Sequence, residues 1–243
     1  MKKIFVIGLG PGERSQMSGA ALAAIAESEV ITGYPVYVDL IRDLIEGKEV
    51  YTSAMKQEVD RCQKAMDYAL AGKTTSMVCS GDAGVYGMAG IVCEVCKDHP
   101  EIEIEVVAGI SACCSGAAVL GAPLIHDFAV ISLSDLLTPM EKIEKRLLLA
   151  SEADFVICIY NPSSKKRADY LHRACLLMMR HKDPQTPCGY VKNIGRSGEE
   201  AHICTLKELA EAEVDMFTTI FVGNSQTKVI NGRLVTPRGY LEQ

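Results

Sequence analysis

Short apolar runs at residues 3–7, 30–32, 76–79 and 103–107 are each followed by a turn that carries glycine, and then by a stretch of helical spacing. Runs of this length, rich in Val and Ile and bounded by glycine, predict buried strands. The stretches at 16–27, 37–44, 56–71 and 85–97 predict helices. In 56–71, for instance, Val59, Cys62, Ala65, Met66 and Ala69 fall on one face at i, i+3, i+4 spacing. Strand and helix in alternation predict an α/β layer fold.

After the small-residue helix around 111–120 the pattern restarts. Strands are expected at 128–132, 155–160, 187–192 and 216–223, and helices at 138–150, 165–181 and 207–212. The first of these helices has Thr138 in place to cap it, Pro139 at the first helical position and Glu141 two residues on. Residues 229–235 carry Asn231-Gly232, a strong hairpin signal, so the chain is expected to finish in an antiparallel ribbon. Residues 183–187, with two prolines, form a surface loop. No internal repeat is evident. The simplest architecture is two α/β domains, residues 1–118 and 119–243, joined near residues 115–123.

Composition narrows the function classes. With 31 acidic residues against 25 basic ones among 243, the chain lacks the basic face that phosphate neutralisation requires, so nucleic acid is not an expected partner. The apolar start stops at residues 8–12 without a cleavage pattern and reads as a first strand. No run approaches the roughly 20 apolar residues that span a bilayer, so no membrane partner and a cytoplasmic location are expected. Most of the ten cysteines sit inside apolar segments, as buried free thiols do, which suits a reducing compartment. Cys93 and Cys96 form a lone CxxC without a second pair or histidines, and no metal site is expected.

Candidate chemistry gathers at strand ends. Gly81-Asp82-Ala83-Gly84-Val85-Tyr86-Gly87 follows a strand; its glycines let backbone amides and carbonyls approach a ligand, and Asp82 adds an acceptor. Gly8-Leu9-Gly10-Pro11-Gly12 departs from a dinucleotide fingerprint in glycine spacing, with Pro11 stiffening the turn. Ala108-Gly109-Ile110-Ser111-Ala112 opens a helix whose N-terminus suits a carboxylate or ribose edge. In the second half Tyr160-Asn161-Pro162 and Asn193-Ile194-Gly195-Arg196 end strands, and His126-Asp127 and Ser132-Leu133-Ser134-Asp135 flank another.

Taken together, Gly8 to Gly12, Gly33-Tyr34, Ser80 to Gly90, Leu120-Gly121-Ala122-Pro123-Leu124 and His126-Asp127-Phe128 make the chain resemble the tetrapyrrole (corrin/porphyrin) methylases. Ile131 to Pro139, Tyr160-Asn161-Pro162 and Thr236-Pro237-Arg238-Gly239-Tyr240 are similar to the precorrin-3B, or cobalt-factor III, C17-methyltransferase branch. The chain departs from that branch at Pro35, Ala108, Met140 and Ser163, where Lys, Pro, Trp and Arg are usual. Pro35 and Ser163 thereby lack a basic group.

The resemblance implies two α/β domains with the cofactor cleft between them, a homodimer, and S-adenosylmethionine as cofactor, released as S-adenosylhomocysteine. It implies cofactor contacts from Pro11, Ser80, Gly81, Asp82, Val85, Ser111, Ala112, Asn161 and Gly195. The implied reaction is methylation of C17 of a tetrapyrrole with ring contraction, for which Asp135, His126 and Tyr34 are the nominated acid–base groups. Arg14, Lys56, Arg61, Lys165, Lys166, Arg167, Arg196 and Arg238 are the cations available to the substrate's carboxylates. A sister methylase acting at another ring carbon, and a non-enzymatic S-adenosylmethionine or corrinoid binder, are the alternatives.

Overall fold

A computed structural model of the chain describes residues 2–164 and 168–240. They pack as two compact units, Met1–Ala112 and Cys113–Gln243.

The first unit contains strands β1 (Lys3–Gly8), β2 (Val30–Gly33), β3 (Glu49–Thr52), β4 (Thr75–Cys79) and β5 (Glu103–Val107), with helices α1 (Gly19–Glu27), α2 (Pro35–Asp39), α3 (Glu58–Leu70) and α4 (Ala89–Val95). The sheet is parallel throughout, in the order β3-β2-β4-β1-β5. Alternation along β1 divides its side chains between two layers. Ile4 and Val6 pack with Cys62, Ala65, Met66 and Val92 of α3 and α4, while Phe5 and Ile7 pack with Ala21, Ile25 and Val38 of α1 and α2. Covered on both faces, its central strands are buried along their length and mostly apolar, with Thr75 and Ser76 of β4 as buried hydroxyls.

Helix α5 (Ala112–Leu120) begins at the last residue of the first unit and leads into β6 (Gly121–Ala122), β7 (Phe128–Ser132), α6 (Met140–Glu152), β8 (Val156–Tyr160), α7 (Tyr170–Met178) and β9 (Pro187–Lys192). Then come β10 (Glu200–Thr205), α8 (Leu206–Leu209), β11 (Thr218–Val222), β12 (Lys228–Ile230) and β13 (Arg233–Val235). The main sheet runs β10-β9-β11-β8-β7, with β7 and β8 parallel and the other pairs antiparallel. One face packs on Ile143, Leu147, Leu171, Cys175, Met178 and Leu209. On the other lies α5, where a Cβ added to Gly116 would come within 2.9 Å of Ile194 Cδ1 and Phe221 Cζ. β12 and β13 form the expected hairpin, with Asn231 and Gly232 at φ of 50° and 73°, and β13 pairs with β6. No helix among the described residues is long and apolar enough to cross a membrane.

Helix starts differ from expectation for local reasons. The helix expected at 85–97 begins only at Ala89, because the Asp82 carboxylate accepts the amides of Gly84 and Val85 at 2.8 and 3.1 Å and holds them in a turn. The helix expected from 16 begins at Gly19, where Ser18 accepts the Ala21 amide. Thr138 does not cap α6: Pro139 occupies the cap with extended backbone and no side-chain hydrogen bond. A capping box instead closes the start of α8, between Thr205 and Glu208. The helix expected at 165–181 is Tyr170–Met178, and residues 165–167 lie outside the described residues. The edge strands β3 and β10 carried no continuous apolar run to announce them.

Burial sets the alkaline limit of the fold. Desolvation pushes the thiols of Cys62 and Cys175 up to about 12 and those of Cys79 and Cys204 up to about 11, and drives Cys158 and Cys188 well above the ordinary 9.0. An acid weakened by folding stabilises fully below its unfolded value and ceases to as pH rises through its folded one. Unfolding free energy, followed by urea titration, should therefore fall as pH rises from 9.0 towards 11, and Cys62→Ala should flatten that fall.

Lys182 gives a second expectation. Its buried ammonium donates to the carbonyls of Phe155 and Gly223, both at 2.9 Å, with Asp154 3.8 Å away, and burial lowers its pKa from 10.5. Lys182→Met leaves two carbonyls without their donor and should cost roughly 2–4 kcal/mol in a denaturant titration at neutral pH.

Candidate active site

Strand order places the candidate site of the first unit. β1 leads through α1 to β2 on one side of the sheet order, and β4 leads through α4 to β5 on the other; α1 and α4 lie on opposite faces. β1 and β4 are neighbours, so the crevice between their carboxyl ends is a topological switch point, where α/β sheets take ligands.

Three turns meet there. Gly10 and Gly81 form an isolated bridge, Gly10 N donating to Gly81 O at 3.0 Å and Gly81 N to Gly10 O at 2.8 Å. Both have positive φ, 73° and 68°, which a side chain would resist. The third turn closes against the other two: a Cβ on Gly109 would lie within 2.5 Å of Gly8 O and closer still to Gly81 O. Asp82 fastens this contact, its second carboxylate oxygen accepting the Gly109 amide at 3.0 Å. The half-buried carboxylate thus accepts three backbone amides from two turns. Beyond it, Gly84, Val85 and Tyr86 are exposed, and Tyr86 holds a φ of 54°.

Pro11, Ser80, Gly81, Asp82, Val85, Ser111 and Ala112 therefore come together on these turns, as one constellation. Gly81 also has the Ala112 amide nearby, 3.6 Å from the position a Cβ would take. Tyr34 follows β2 at the same edge, its ring 5.4 Å from that of Tyr37 and 6.0 Å from the Arg61 guanidinium. Arg61 itself is a correction to the cationic rim. It is only 4% exposed, and it donates to Ser53 Oγ, Ser53 O and Ala54 O at 2.9 to 3.1 Å, tying the loop after β3 to α3. Lys56, in that loop, is exposed with a φ of 69°.

In the second unit, β7, β8 and β9 run in one direction, so their carboxyl ends share an edge. Asn161, with a φ of 53°, ends β8 and donates to Ser132 Oγ at 2.9 Å; the same oxygen accepts the Ser134 amide at 3.2 Å. Asp135 follows, half-buried, accepting from the Tyr170 hydroxyl at 2.8 Å. Gly195 follows β9, with its amide bound to Glu199 at 2.7 Å. Arg196 stacks 5.6 Å from the Phe217 ring centre.

His126 is not brought to this edge. It precedes β7, at the opposite end of that strand from Asp135, and a strand of five residues spans about 16 Å. Arg238 lies with His126. Arg14 is exposed and pairs with Asp43 at 3.3 Å. Lys165, Lys166 and Arg167 lie outside the described residues. Two contributors went unread in the sequence: Ser132, which joins Asn161 to the turn at Ser134, and Tyr160, whose hydroxyl accepts the Cys113 amide at 2.8 Å. Both lay within motifs already singled out, but hydrogen bonding across strands leaves no spacing signal.

A switch-point crevice walled by three glycine turns and followed by a second α/β unit defines a class of enzyme. Residues 3–210 match the family model of the Tetrapyrrole (Corrin/Porphyrin) Methylases, and the chain belongs to that family of methyltransferases. It is 46% identical to the probable cobalt-factor III C(17)-methyltransferase of Salmonella typhimurium, covering 97% of this chain and 98% of the relative. It is 37% identical to the precorrin-3B C(17)-methyltransferase of a Sinorhizobium species, over 98% and 96% of the two chains. Among solved structures, that of the methyltransferase CobJ superposes with a TM-score of 0.89 at 34% identity, covering 96% and 99%. The uroporphyrin-III C-methyltransferase of Thermus thermophilus, solved with S-adenosyl homocysteine, shares the fold, with a TM-score of 0.74 at 20% identity over 91% and 97%.

The crowding at Gly109 makes it a sensitive backbone position of the site. Gly109→Ala should force the turns apart, with a stability loss of about 1–3 kcal/mol. Urea titration should show that loss, whereas Gly90→Ala, where nothing beyond its own helix lies within 4 Å of the added Cβ, should cost no stability.

Proposed function

We propose that the chain is an S-adenosylmethionine-dependent C-methyltransferase acting at C17 of a corrin precursor, cobalt-factor III or precorrin-3B, with ring contraction in cobalamin biosynthesis. What carries the reading is similarity over nearly the full length to two relatives named for that activity. The three-turn crevice of the first unit supports it. The reading extends to a homodimer in the cytoplasm, where a thiol-rich chain meets a reducing medium.

The residues at the crevice suit the cofactor's chemistry. Asp82 holds a carboxylate there, and its oxygens have acceptor capacity beyond three amides, enough for an ammonium. The N-terminal turn of α5, reached through Ser111 and Ala112, suits the carboxylate of the cofactor's amino-acid end. Val85, 38% exposed, offers apolar surface beside them. Asn161 and Gly195 are the second unit's proposed contributions. When bound, S-adenosylmethionine supplies an electrophilic methyl group on a cationic sulfur.

The protein's own task in methyl transfer is alignment and exclusion of water, since the electron-rich macrocycle is itself the nucleophile. Ring contraction moves protons and needs acid–base help. Asp135 and Tyr34 are the groups we assign to it, Asp135 being steadied by the Tyr170 hydroxyl. His126 stands at the end of β7 away from Asp135.

Cobalt-factor III and metal-free precorrin-3B should be offered side by side with S-adenosylmethionine labelled in its methyl group. NMR should place the label at C17 of a contracted ring; label at another carbon, or none transferred, would overturn the reading. Asp135→Asn should leave methylation within about threefold while slowing contraction on the order of 100-fold. Equal slowing of both steps would make Asp135 structural.

A further inference from the structure

The two motifs that the crevice does not use converge elsewhere. His126-Asp127-Phe128 and Arg238, more than a hundred residues apart in sequence, line one cavity of 290 Å³ with Ile125 and Phe155. All six residues belong to the second unit. The cavity sits at the amino ends of β7 and β8, opposite the edge that carries Ser132, Asn161 and Asp135. No ion pair or hydrogen bond occupies the side chains of His126, Asp127 or Arg238 among the described residues. His126, Asp127 and Arg238 therefore line one space with no ion pair between them, beside Phe128 and Phe155.

The lining specifies complementary chemistry. A guanidinium and an imidazole take a carboxylate, with the planar fork of Arg238 able to bind it through two parallel bonds. A carboxylate beside them repels a simple acid and asks for a ligand that also brings a donor. Two phenyl rings ask for a flat, electron-rich body. A pyrrole with an acid arm has all three features: an N–H for Asp127, a carboxylate for Arg238 and His126, and a ring for Phe128 and Phe155. Size agrees. The 290 Å³ falls just under the roughly 300–1,000 Å³ of pockets that enclose a drug-sized ligand, room for one ring and its arms but not for a whole macrocycle.

We propose that this cavity, built by the second unit alone at the end of its sheet opposite Asn161 and Asp135, is a binding site for one carboxylate-bearing pyrrole ring of a tetrapyrrole. That the pyrrole belongs to a tetrapyrrole rests on the function proposed above; the chemistry of the site does not. His126 is then a recognition residue for an acid arm.

Carbethoxylation of the histidines by diethyl pyrocarbonate, read peptide by peptide by mass spectrometry, tests it. Porphobilinogen, a single pyrrole with acetate and propionate arms, should slow modification of His126 at least fivefold at saturation. His181 and His202, both outside the cavity, should react as before. Arg238→Ala should abolish the protection and Arg238→Lys should retain part of it, with folding of both checked by thermal melting. Sodium acetate at equal carboxylate concentration should protect little. Failure of porphobilinogen to protect, or equal protection by acetate, overturns the proposal. Transfer of the labelled methyl group without protection of His126 sinks this site alone, whereas protection without any methyl transfer sinks the proposed activity and leaves the cavity a pyrrole site.

Discussion

Everything at the crevice depends on one close contact between backbones. Gly8, Gly81 and Gly109 approach so nearly that no side chain fits between them, and the Gly10–Gly81 bridge adds two hydrogen bonds at that point. Three strand ends are thereby joined into a single wall. Asp82 then spends its carboxylate within the wall, taking amides from its own turn and from the turn after β5. An acidic residue that reads as a ligand contact is thus also the fastener of the surface it belongs to. Charge-assisted hydrogen bonds from a half-buried carboxylate are among the stronger ones, which suits that duty.

The same economy governs the cations. The chain is net acidic, and the structure uses two of its basic groups inside the fold. Arg61 holds the loop after β3, and Lys182 satisfies two carbonyls at the base of the second sheet. Arg14 is paired with Asp43. Other basic groups remain accessible, and Arg238 with its neighbouring imidazole is one such place.

The crevice of the first unit is built largely of main chain. The second unit gathers polar side chains at one edge of its sheet, where Asn161 donates to Ser132 and Tyr170 to Asp135. Distance along β7 separates this edge from His126. Two polar residues nine positions apart in sequence face different surroundings because an extended strand, unlike a helix, carries the chain straight away from where it began.

Much of this was legible before any coordinates. Apolar runs and glycine turns announce the central strands of both units, since strands buried on both faces are mostly apolar, and Asn231-Gly232 announces the final hairpin. The turns that line the crevice were legible too, because only glycine tolerates their φ and their crowding. Edge strands β3 and β10 were not, being exposed along much of their length and without an apolar run, and neither was the late start of α4, which a side chain rather than a propensity decides. Tertiary structure alone decided that Arg61 faces inward, that Asp82 binds two turns at once, and that His126 and Arg238 share a cavity away from Asp135. The division has one physical reason. Local sequence carries burial and backbone freedom, which act residue by residue, whereas the partners of a polar side chain are set by strand order, which no stretch of sequence contains.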